Sequence, residues 1–225
     1  MSRVILFDID HTLLYTGGAG SYAMNLAFNE MFGVPNPFAR VEFSGRTDRY
    51  ILQEGLACHS IDGGCEKHLE PFTTRYYEIL PRTLREREGY LMPGFPDLLD
   101  ELSNQPDVRL GLATGNFSRA AYIKLEHYGV AGYFEAGGFG EESIERGDLV
   151  RAAITKMGNG ARPDDILVVG DTPHDVQSAL DNGVVAVGVA TGNYSVDDLS
   201  AAGAHLAFTD FSDWKSAAAT LLGRG

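Results

Sequence analysis

The 225-residue sequence has few cysteines and no long apolar run. Its two cysteines, Cys58 and Cys65, are too few for a disulfide framework in a chain of this size, which excludes the disulfide-rich class of small secreted domains. The sequence also contains no run of the roughly 20 apolar residues that a membrane-spanning helix needs, and its first apolar stretch stops at Asp8. We therefore expect no signal peptide, no membrane partner and a cytoplasmic protein.

Positive charge is scarce as well. The chain carries 18 Lys and Arg residues against 31 Asp and Glu residues, a formal net charge of −13. A field of that sign opposes binding to phosphate polymers and to anionic membrane surfaces, so nucleic acid is not an expected partner. A small anion is compatible with such a chain where a metal ion reverses the local charge. The oligomeric state is left open by the sequence.

Short apolar runs alternate with helical patterns along most of the chain. Four runs predict buried strands, and two weaker runs predict edge strands: residues 4–7, 108–113, 166–169 and 184–189, then 133–136 and 205–208. Alternation of strands with helices is typical of the α/β class. The sequence therefore predicts a doubly wound parallel sheet of about six strands.

A long insertion separates the first two strands. Nearly a hundred residues lie between them, far more than the single crossover helix that links parallel strands. Glycine-rich residues 16–20 and the Pro-Gly pair near residue 94 are interpreted as hinges. Three stretches between them show helical spacing, at residues 22–32, 48–57 and 67–87. We expect a core domain of residues 1–15 and 92–225, with an inserted α-helical cap domain of residues 16–91.

Two acidic turns each follow a strand-like run directly. Asp8 and Asp10 lie in the sequence Asp-Ile-Asp-His-Thr, and Asp171 and Asp175 lie in Asp-Thr-Pro-His-Asp. Because the carboxyl ends of parallel strands meet at one edge of a sheet, the two turns can converge. Like charges that close together require a cation, and an oxygen-only donor set suits Mg²⁺. The sequence therefore predicts a Mg²⁺ site, although Asp175 also suits an ordinary helix N-terminus.

A third turn follows residues 108–113. Thr114, Gly115 and Asn116 offer a hydroxyl group, a backbone without a side chain and an amide that can cap a helix. Helix N-termini bind anions through their free N–H groups, so this turn predicts a phosphate-binding site. The alternative is an ordinary helix start with Asn116 as its N-cap, and both interpretations can hold together.

These three turns, in this order and with an intact Asp-x-Asp-x-Thr sequence first, resemble the haloacid dehalogenase superfamily of phosphatases. The resemblance spans essentially the whole chain. It implies that Asp8 is the nucleophile and that Asp10 is the acid/base, which also offers a metal its backbone carbonyl. It further implies that Thr114 binds the phosphoryl group and that Asp171 binds the metal. Asp175 would hold a metal-bound water.

The resemblance also implies a basic residue, and Arg146 fits best although Lys is commoner there. Arg151 and Lys156 are rivals, but we expect them to lie inside a helix capped by Asp148, with Arg146 in the loop before it. An Arg could bind two phosphoryl oxygens at once. The alternative for Arg146 is a solvated loop charge. His11 is a second departure, because similar enzymes usually carry Gly there. It could meet the substrate or only contact the insertion, and the structural interpretation is preferred.

One residue of the insertion is a candidate substrate contact. Arg46 precedes a predicted helix and could face the cleft. The alternative is a capping segment, with Thr47 or Asp48 as the N-cap, and we weigh the two equally.

The expected function follows from the resemblance. It implies a Mg²⁺-dependent phosphatase that hydrolyses a small phosphorylated metabolite through an aspartyl-phosphate and is similar to phosphoglycolate phosphatases. Asp10 argues against dehalogenation, because related dehalogenases resemble this pattern without the second acid. Two alternatives stay open: a phosphosugar mutase of the same superfamily, and a catalytically silent binding module on the same fold.

Overall fold

The computed structural model describes residues 3–158 and 160–224. Its strands are β1 (Arg3–Phe7), β2 (Leu14–Tyr15), β3 (Tyr90–Leu91), β4 (Val108–Ala113), β5 (Gly137–Gly138), β6 (Ile166–Gly170), β7 (Val185–Val189) and β8 (Leu206–Phe208). Its helices are α1 (Ala19–Phe32), α2 (Asp48–Cys58), α3 (Gly64–Glu86), α4 (Asp97–Ser103), α5 (Ser118–His127), α6 (Arg146–Met157), α7 (Pro173–Asp181), α8 (Val196–Ala201) and α9 (Trp214–Leu221). Short 3-10 helices lie at Ala131–Tyr133 and Pro163–Asp165.

Six strands of the described residues form one parallel sheet in the order β5-β4-β1-β6-β7-β8. The central strand β1 is buried on both faces. Ile5 and Phe7 belong to one apolar cluster, whereas Val4 and Leu6 belong to another on the opposite face. Helices α4, α5 and α9 contribute to the first cluster, and α6, α7 and α8 to the second. Helices on both faces explain why β1 is a continuous apolar run, and the predicted doubly wound α/β class is confirmed.

The predicted edge strand at residues 133–136 is wrong. The chain forms a 3-10 turn at Ala131–Tyr133, and the strand beside β4 is Gly137–Gly138. Phe134 is buried in the core from this irregular segment, so the apolar signal comes before the strand itself. A strand made of two glycines carries none of the branched or aromatic side chains by which strands are usually recognised. The other predicted edge strand is confirmed, as β8.

The insertion contains the three expected helices, although α1 and α3 begin three residues earlier than predicted. They share a cluster of buried apolar side chains that includes Phe28, Phe72 and Tyr76. Phe117, at the start of α5, packs into the same cluster. A two-stranded antiparallel ribbon, in which Leu14 pairs with Leu91, lies where the insertion leaves the core and returns to it. The division into core and cap domains stays a prediction.

Two expectations from composition can be compared with the described residues. Cys58 and Cys65 are both free thiols. No helix within residues 3–158 and 160–224 combines the length and the apolar character needed to cross a membrane.

Candidate active site

The three turns singled out in the sequence lie side by side. β1 is flanked by β4 and β6, so the residues that follow these strands meet at the carboxyl edge of the sheet. The backbone N–H of Asp8 donates to the carbonyl oxygen of Val169 at 2.9 Å, which ties the first turn to the end of β6. Asp171 and Thr114 directly follow β6 and β4. The parallel arrangement thus gathers residues that are far apart in the sequence.

Three carboxylates meet in a buried cluster at this edge. Asp8, Asp171 and Asp175 each offer an oxygen, and these oxygens all lie within 4.8 Å of one another. Burial is the main cause that raises the pKa of Asp8 to about 6 and that of Asp171 to about 9, with repulsion from the neighbouring carboxylates adding to it. Nearby positive charge from Arg146 lowers both pKa values but does not outweigh these two effects. A divalent cation would supply further positive charge, and the oxygen-only donor set fits Mg²⁺.

Asp175 takes part both in a helix start and in the acidic cluster. It forms a capping box with Thr172: its Oδ2 accepts the Thr172 backbone N–H at 3.1 Å, and the Thr172 hydroxyl oxygen accepts the Asp175 N–H at 3.3 Å. Its other oxygen, Oδ1, accepts a hydrogen bond from Nε of Arg146 at 2.7 Å. The helix start and the acidic cluster therefore share one carboxylate.

Arg146 bridges two members of the cluster. Besides the bond to Asp175, its Nη2 lies 2.9 Å from Oδ1 of Asp8, and the side chain is only 9% exposed. The interpretation as a solvated loop charge is therefore wrong. Arg151 instead lies on the surface, where its side chain is 66% exposed and pairs with Asp148. Of these two arginines, only Arg146 reaches the acids.

The expected start of the helix that carries Arg146 is wrong. Arg146 is the first residue of α6, and Glu145 rather than Asp148 is at the N-cap position. Asp148 lies within the first turn, where its carboxylate accepts the Ser143 hydroxyl at 2.9 Å. An acid in the first turn is favoured by the helix dipole just as one at the N-cap is, so the local sequence fits either start.

The alternative interpretation of Asn116, as the N-cap of α5, is wrong. Phe117, not Asn116, is at that position. The first N–H groups of the helix are bonded by remote acids: Asp48 Oδ2 accepts the Phe117 N–H at 2.9 Å, and Glu141 Oε2 accepts the Ser118 N–H at 2.8 Å. Because the partners are distant in the sequence, local capping rules could not identify them.

The side chain of Asn116 turns toward Thr114 and Asp10 instead. Its Nδ2 donates to Thr114 Oγ1 at 2.9 Å and to Asp10 Oδ2 at 2.8 Å. Thr114 is fully buried, and its hydroxyl oxygen also accepts the backbone N–H of Asn116 at 3.3 Å. The predicted phosphate-binding turn is therefore connected by hydrogen bonds to the predicted acid/base.

The insertion rests directly on this turn. The backbone N–H of Asp48 donates to the Gly115 carbonyl oxygen at 2.7 Å, and a Cβ at Gly115 would lie 2.3 Å from the carbonyl oxygen of Arg46. Only glycine allows so close an approach. Thr47 is the N-cap of α2, since its hydroxyl oxygen accepts the Tyr50 N–H at 3.1 Å. Asp48 is buried, and burial raises its pKa to about 7.

Lys124 is a residue of this cleft that the sequence analysis missed. Its Nζ donates to Asp10 Oδ1 at 2.8 Å and Oδ2 at 2.6 Å, and to Asn116 Oδ1 at 2.5 Å. Burial alone would raise the pKa of Asp10, but the Lys124 charge and the hydrogen bonds from Lys124 and Asn116 hold it below its ordinary value. A sequence signal did exist: Lys124 lies between Ala121 and Leu125, on the apolar face of an amphipathic helix, where an unpaired Lys is rarely found.

These residues line a cleft of about 250 Å³ between the sheet edge and the insertion. Its wall includes Asp8, Asp10, Arg46, Asn116, Lys124 and Arg146. Arg46 therefore reaches the cleft, while its guanidinium also lies 4.8 Å from the ring centre of Tyr50. His11 also lines the cleft, and its imidazole lies 5.2 Å from the ring of Tyr15, so both interpretations of this residue stay open.

Comparison with known proteins agrees with this geometry. Residues 5–189 match the family model for haloacid dehalogenase-like hydrolases. The chain belongs to this family. A probable phosphatase IndB of Dickeya dadantii is 29% identical over 228 residues, which cover 99% of this chain and 96% of that protein. A phosphoglycolate phosphatase of Rhodospirillum rubrum is 28% identical over 228 residues, which cover 95% of this chain and 91% of that protein.

A solved structure supports the family fold. The structure of a hydrolase from Pseudomonas syringae aligns with a TM-score of 0.70 at 22% identity, covering 96% of this chain and 97% of that one. At that level of identity, the likeness concerns the fold alone. Together with the family match, it confirms the resemblance inferred from the Asp-x-Asp-x-Thr turn, the α/β fold class and the assignment of the chain as a hydrolase.

Proposed function

We propose that this hydrolase is a Mg²⁺-dependent phosphatase that cleaves a small phosphate monoester through an aspartyl-phosphate on Asp8. The observation that carries the proposal is the buried cluster of Asp8, Asp171 and Asp175 with Arg146 bonded into it. Two relatives named as phosphatases support the reaction class, and one of them is named a phosphoglycolate phosphatase. The cleft of about 250 Å³ favours a small ester.

The metal would be held by the carboxylates of Asp8 and Asp171 and by the backbone carbonyl of Asp10, and Asp175 would hold a metal-bound water. Mg²⁺ bound there would withdraw negative charge from the phosphoryl oxygens and so reduce their repulsion of a carboxylate nucleophile. Arg146 supplies a second source of positive charge, and its planar guanidinium can donate to two phosphoryl oxygens. Thr114, Gly115 and Asn116 would bind the same phosphoryl group.

Two half-reactions divide the work between the neighbouring acids. In the first, Asp8 attacks phosphorus while Asp10 gives a proton to the leaving oxygen. In the second, Asp10 takes a proton from a water molecule that attacks the aspartyl-phosphate, and inorganic phosphate is released. In the free enzyme Lys124 favours the ionised form of Asp10. An incoming phosphate dianion raises the pKa of a nearby acid, which favours uptake of the proton that Asp10 donates.

The leaving group would occupy the part of the cleft lined by the insertion. Arg46 and the apolar side chains of Met24, Phe43 and Ile51 line that part. Arg46 is a candidate contact for a polar or anionic leaving group. Movement of the insertion relative to the core would then expose or enclose the reacting atoms, in keeping with the predicted hinges at residues 16–20 and near residue 94.

Phosphate release from a panel of esters tests the proposal. The panel should contain phosphoglycolate, sugar phosphates and nucleoside monophosphates, each assayed with Mg²⁺ and with EDTA. We expect Mg²⁺-dependent release that Asp8→Asn abolishes and that Asp197→Asn, a matched change on the exposed surface, leaves intact. Unchanged release in Asp8→Asn, or no turnover of any ester, would refute the proposal. Isomerised sugar phosphate in place of inorganic phosphate would identify a mutase.

A further inference from the structure

We propose that Lys124 is a positioning residue that holds the Asp10 carboxylate for the water-activating step, a role that rests on the proposed function. The ammonium group contacts both oxygens of Asp10, at 2.8 and 2.6 Å, and bonds Asn116 Oδ1 at 2.5 Å. Asn116 in turn donates to Asp10 Oδ2 at 2.8 Å. Lys124, Asn116 and Asp10 thus form a closed set of hydrogen bonds, in which the carboxylate is bonded by two side chains.

The exposure of the two partners shows which one faces the reaction. The side chain of Lys124 is 4% exposed, whereas that of Asp10 is 39% exposed. Lys124 therefore contacts Asp10 from the protein side, and the carboxylate borders the cleft. A carboxylate on a short side chain can otherwise adopt several rotamers, and only some of them direct an oxygen at an attacking water. Correct placement within about 1 Å matters for such a step.

The start of α1 is shaped to make room for this lysine. A Cβ at Gly20 would lie 3.2 Å from both Cε and Nζ of Lys124. That is closer than an ordinary van der Waals contact, so the end of the lysine would have to shift. The Gly-Ala-Gly sequence at residues 18–20, interpreted as a hinge, therefore also leaves space for the Lys124 side chain above Asp10.

A purely structural ion pair is the competing explanation. Taking a lysine almost fully out of water is costly, and an apolar residue at such a position is often as good for stability or better. The neighbours of Lys124 on the same helix, Ala120, Ala121 and Leu125, are buried apolar residues. A requirement of packing alone would thus be met by another apolar side chain. The exposed carboxylate at the other end of the pair points to a role in the cleft.

Steady-state and rapid-mixing kinetics with 4-nitrophenyl phosphate separate the two explanations. The leaving group, 4-nitrophenolate, needs little protonation. The constant kcat/KM therefore reports attack by Asp8, whereas kcat also includes hydrolysis of the aspartyl-phosphate. For Lys124→Met we expect kcat to fall about 10- to 100-fold while kcat/KM changes less than about 3-fold. KM then falls with kcat. A burst of about one nitrophenol per enzyme molecule should precede the slow phase.

Three further variants complete the design. Asp10→Asn should show the same kinetic split, and the double variant with Lys124→Met should be no slower than Asp10→Asn alone, because Lys124 acts through Asp10. Lys156→Met removes an ion-paired lysine outside the cleft, bonded to Glu142, and should leave both constants unchanged. Gly20→Ala crowds Lys124 without removing it and should give a smaller split. If Lys124→Met does not fold, the kinetic split of Gly20→Ala decides between the positioning role and a purely structural ion pair.

The outcomes are distinguishable. Equal losses in kcat and kcat/KM, or additive losses in the double variant, would overturn the positioning role and leave the phosphatase proposal standing. Absence of turnover in the unaltered enzyme, toward this ester and toward the whole panel, would overturn the phosphatase proposal and the role of Lys124 with it.

Discussion

Replacement of Arg146 with Met should strongly destabilise the metal-free protein. Arg146 is ion-paired with Asp8 and Asp175, and all three side chains are at most 9% exposed. Met keeps much of the aliphatic volume but leaves two buried carboxylates without their cation. Breaking a buried ion pair by removal of one partner costs about 3–5 kcal/mol, and we expect a loss of that size in the free energy of unfolding at pH 7.5 in EDTA.

The loss should depend on pH in a defined direction. The folded-state pKa of Asp8 is already raised to about 6, so the folded protein binds its proton more tightly than the unfolded chain does. The stability that this group contributes is therefore lost as the pH rises from about 4, the pKa of Asp8 in the unfolded chain, through about 6, its pKa in the folded protein. Removing Arg146 raises the pKa of Asp8 further and moves the upper end of this window upward. The variant should thus lose less stability at pH 5 than at pH 7.5.

Urea unfolding followed by circular dichroism at the two pH values measures both effects. Arg151→Met is the matched control, because Arg151 lies on the same helix but pairs on the surface with Asp148. This variant should lose less than about 1 kcal/mol in the free energy of unfolding. Addition of Mg²⁺ should recover part of the loss in Arg146→Met, since a cation replaces the missing charge. A loss below about 1 kcal/mol, or an equal loss at both pH values, would refute the reasoning.

Three other expectations concern carboxylates of the site and of two helix starts. Binding of Mg²⁺ at pH 7.5 should release about one proton, because the pKa of Asp171 is raised to about 9 and that of Asp8 only to about 6. Calorimetry in two buffers of different ionisation enthalpy measures the number of protons released. No release would contradict the metal site. Asp48→Ala should lower the free energy of unfolding by about 1–3 kcal/mol, because it leaves the buried Phe117 N–H without an acceptor. Asp48→Asn keeps an acceptor oxygen and should lower it less, as measured by urea unfolding. Equal losses in the two variants would contradict the assigned role of Asp48. Asp213→Ala should cost about 1 kcal/mol in the same assay, because Asp213 caps α9; no change would show that the cap is dispensable.

The sequence predicted the parts of the molecule that depend on chain direction and burial. Asp8 and Asp171 each end an apolar run, and in a parallel sheet two such ends must lie at the same edge. That rule brings the carboxylates together across more than 160 residues without any knowledge of the helices. Arg146 was identified by the family resemblance rather than by a local rule, and its placement in the cluster supports that choice.

What the sequence did not predict depends on contacts between distant segments. The start of α5 is bonded by Asp48 and Glu141, which lie 69 and 23 residues from their partners, so Asn116 was free to bond Asp10 instead of capping the helix. Lys124 reaches Asp10 over a separation of 114 residues. Hydrogen bonds of this kind are selected by the three-dimensional packing, and helix-capping preferences describe only neighbours along the chain.

The two neighbouring acids show how scarce positive charge is used in this chain. Asp8 and Asp10 are two residues apart, yet burial raises the pKa of Asp8 to about 6 while Lys124 holds the pKa of Asp10 below its ordinary value. Asp8 shares Arg146 with Asp175, so one cation serves two buried acids and leaves charge for a metal to neutralise. Among the described side chains, Lys124 forms its ion pair with Asp10. Environments that separate two carboxylates in this way suit them to different tasks. Under the proposed mechanism, attack by Asp8 needs its ionised form, which a bound divalent cation would favour by lowering the pKa of Asp8, and donation by Asp10 needs a proton, which an incoming phosphate dianion would favour.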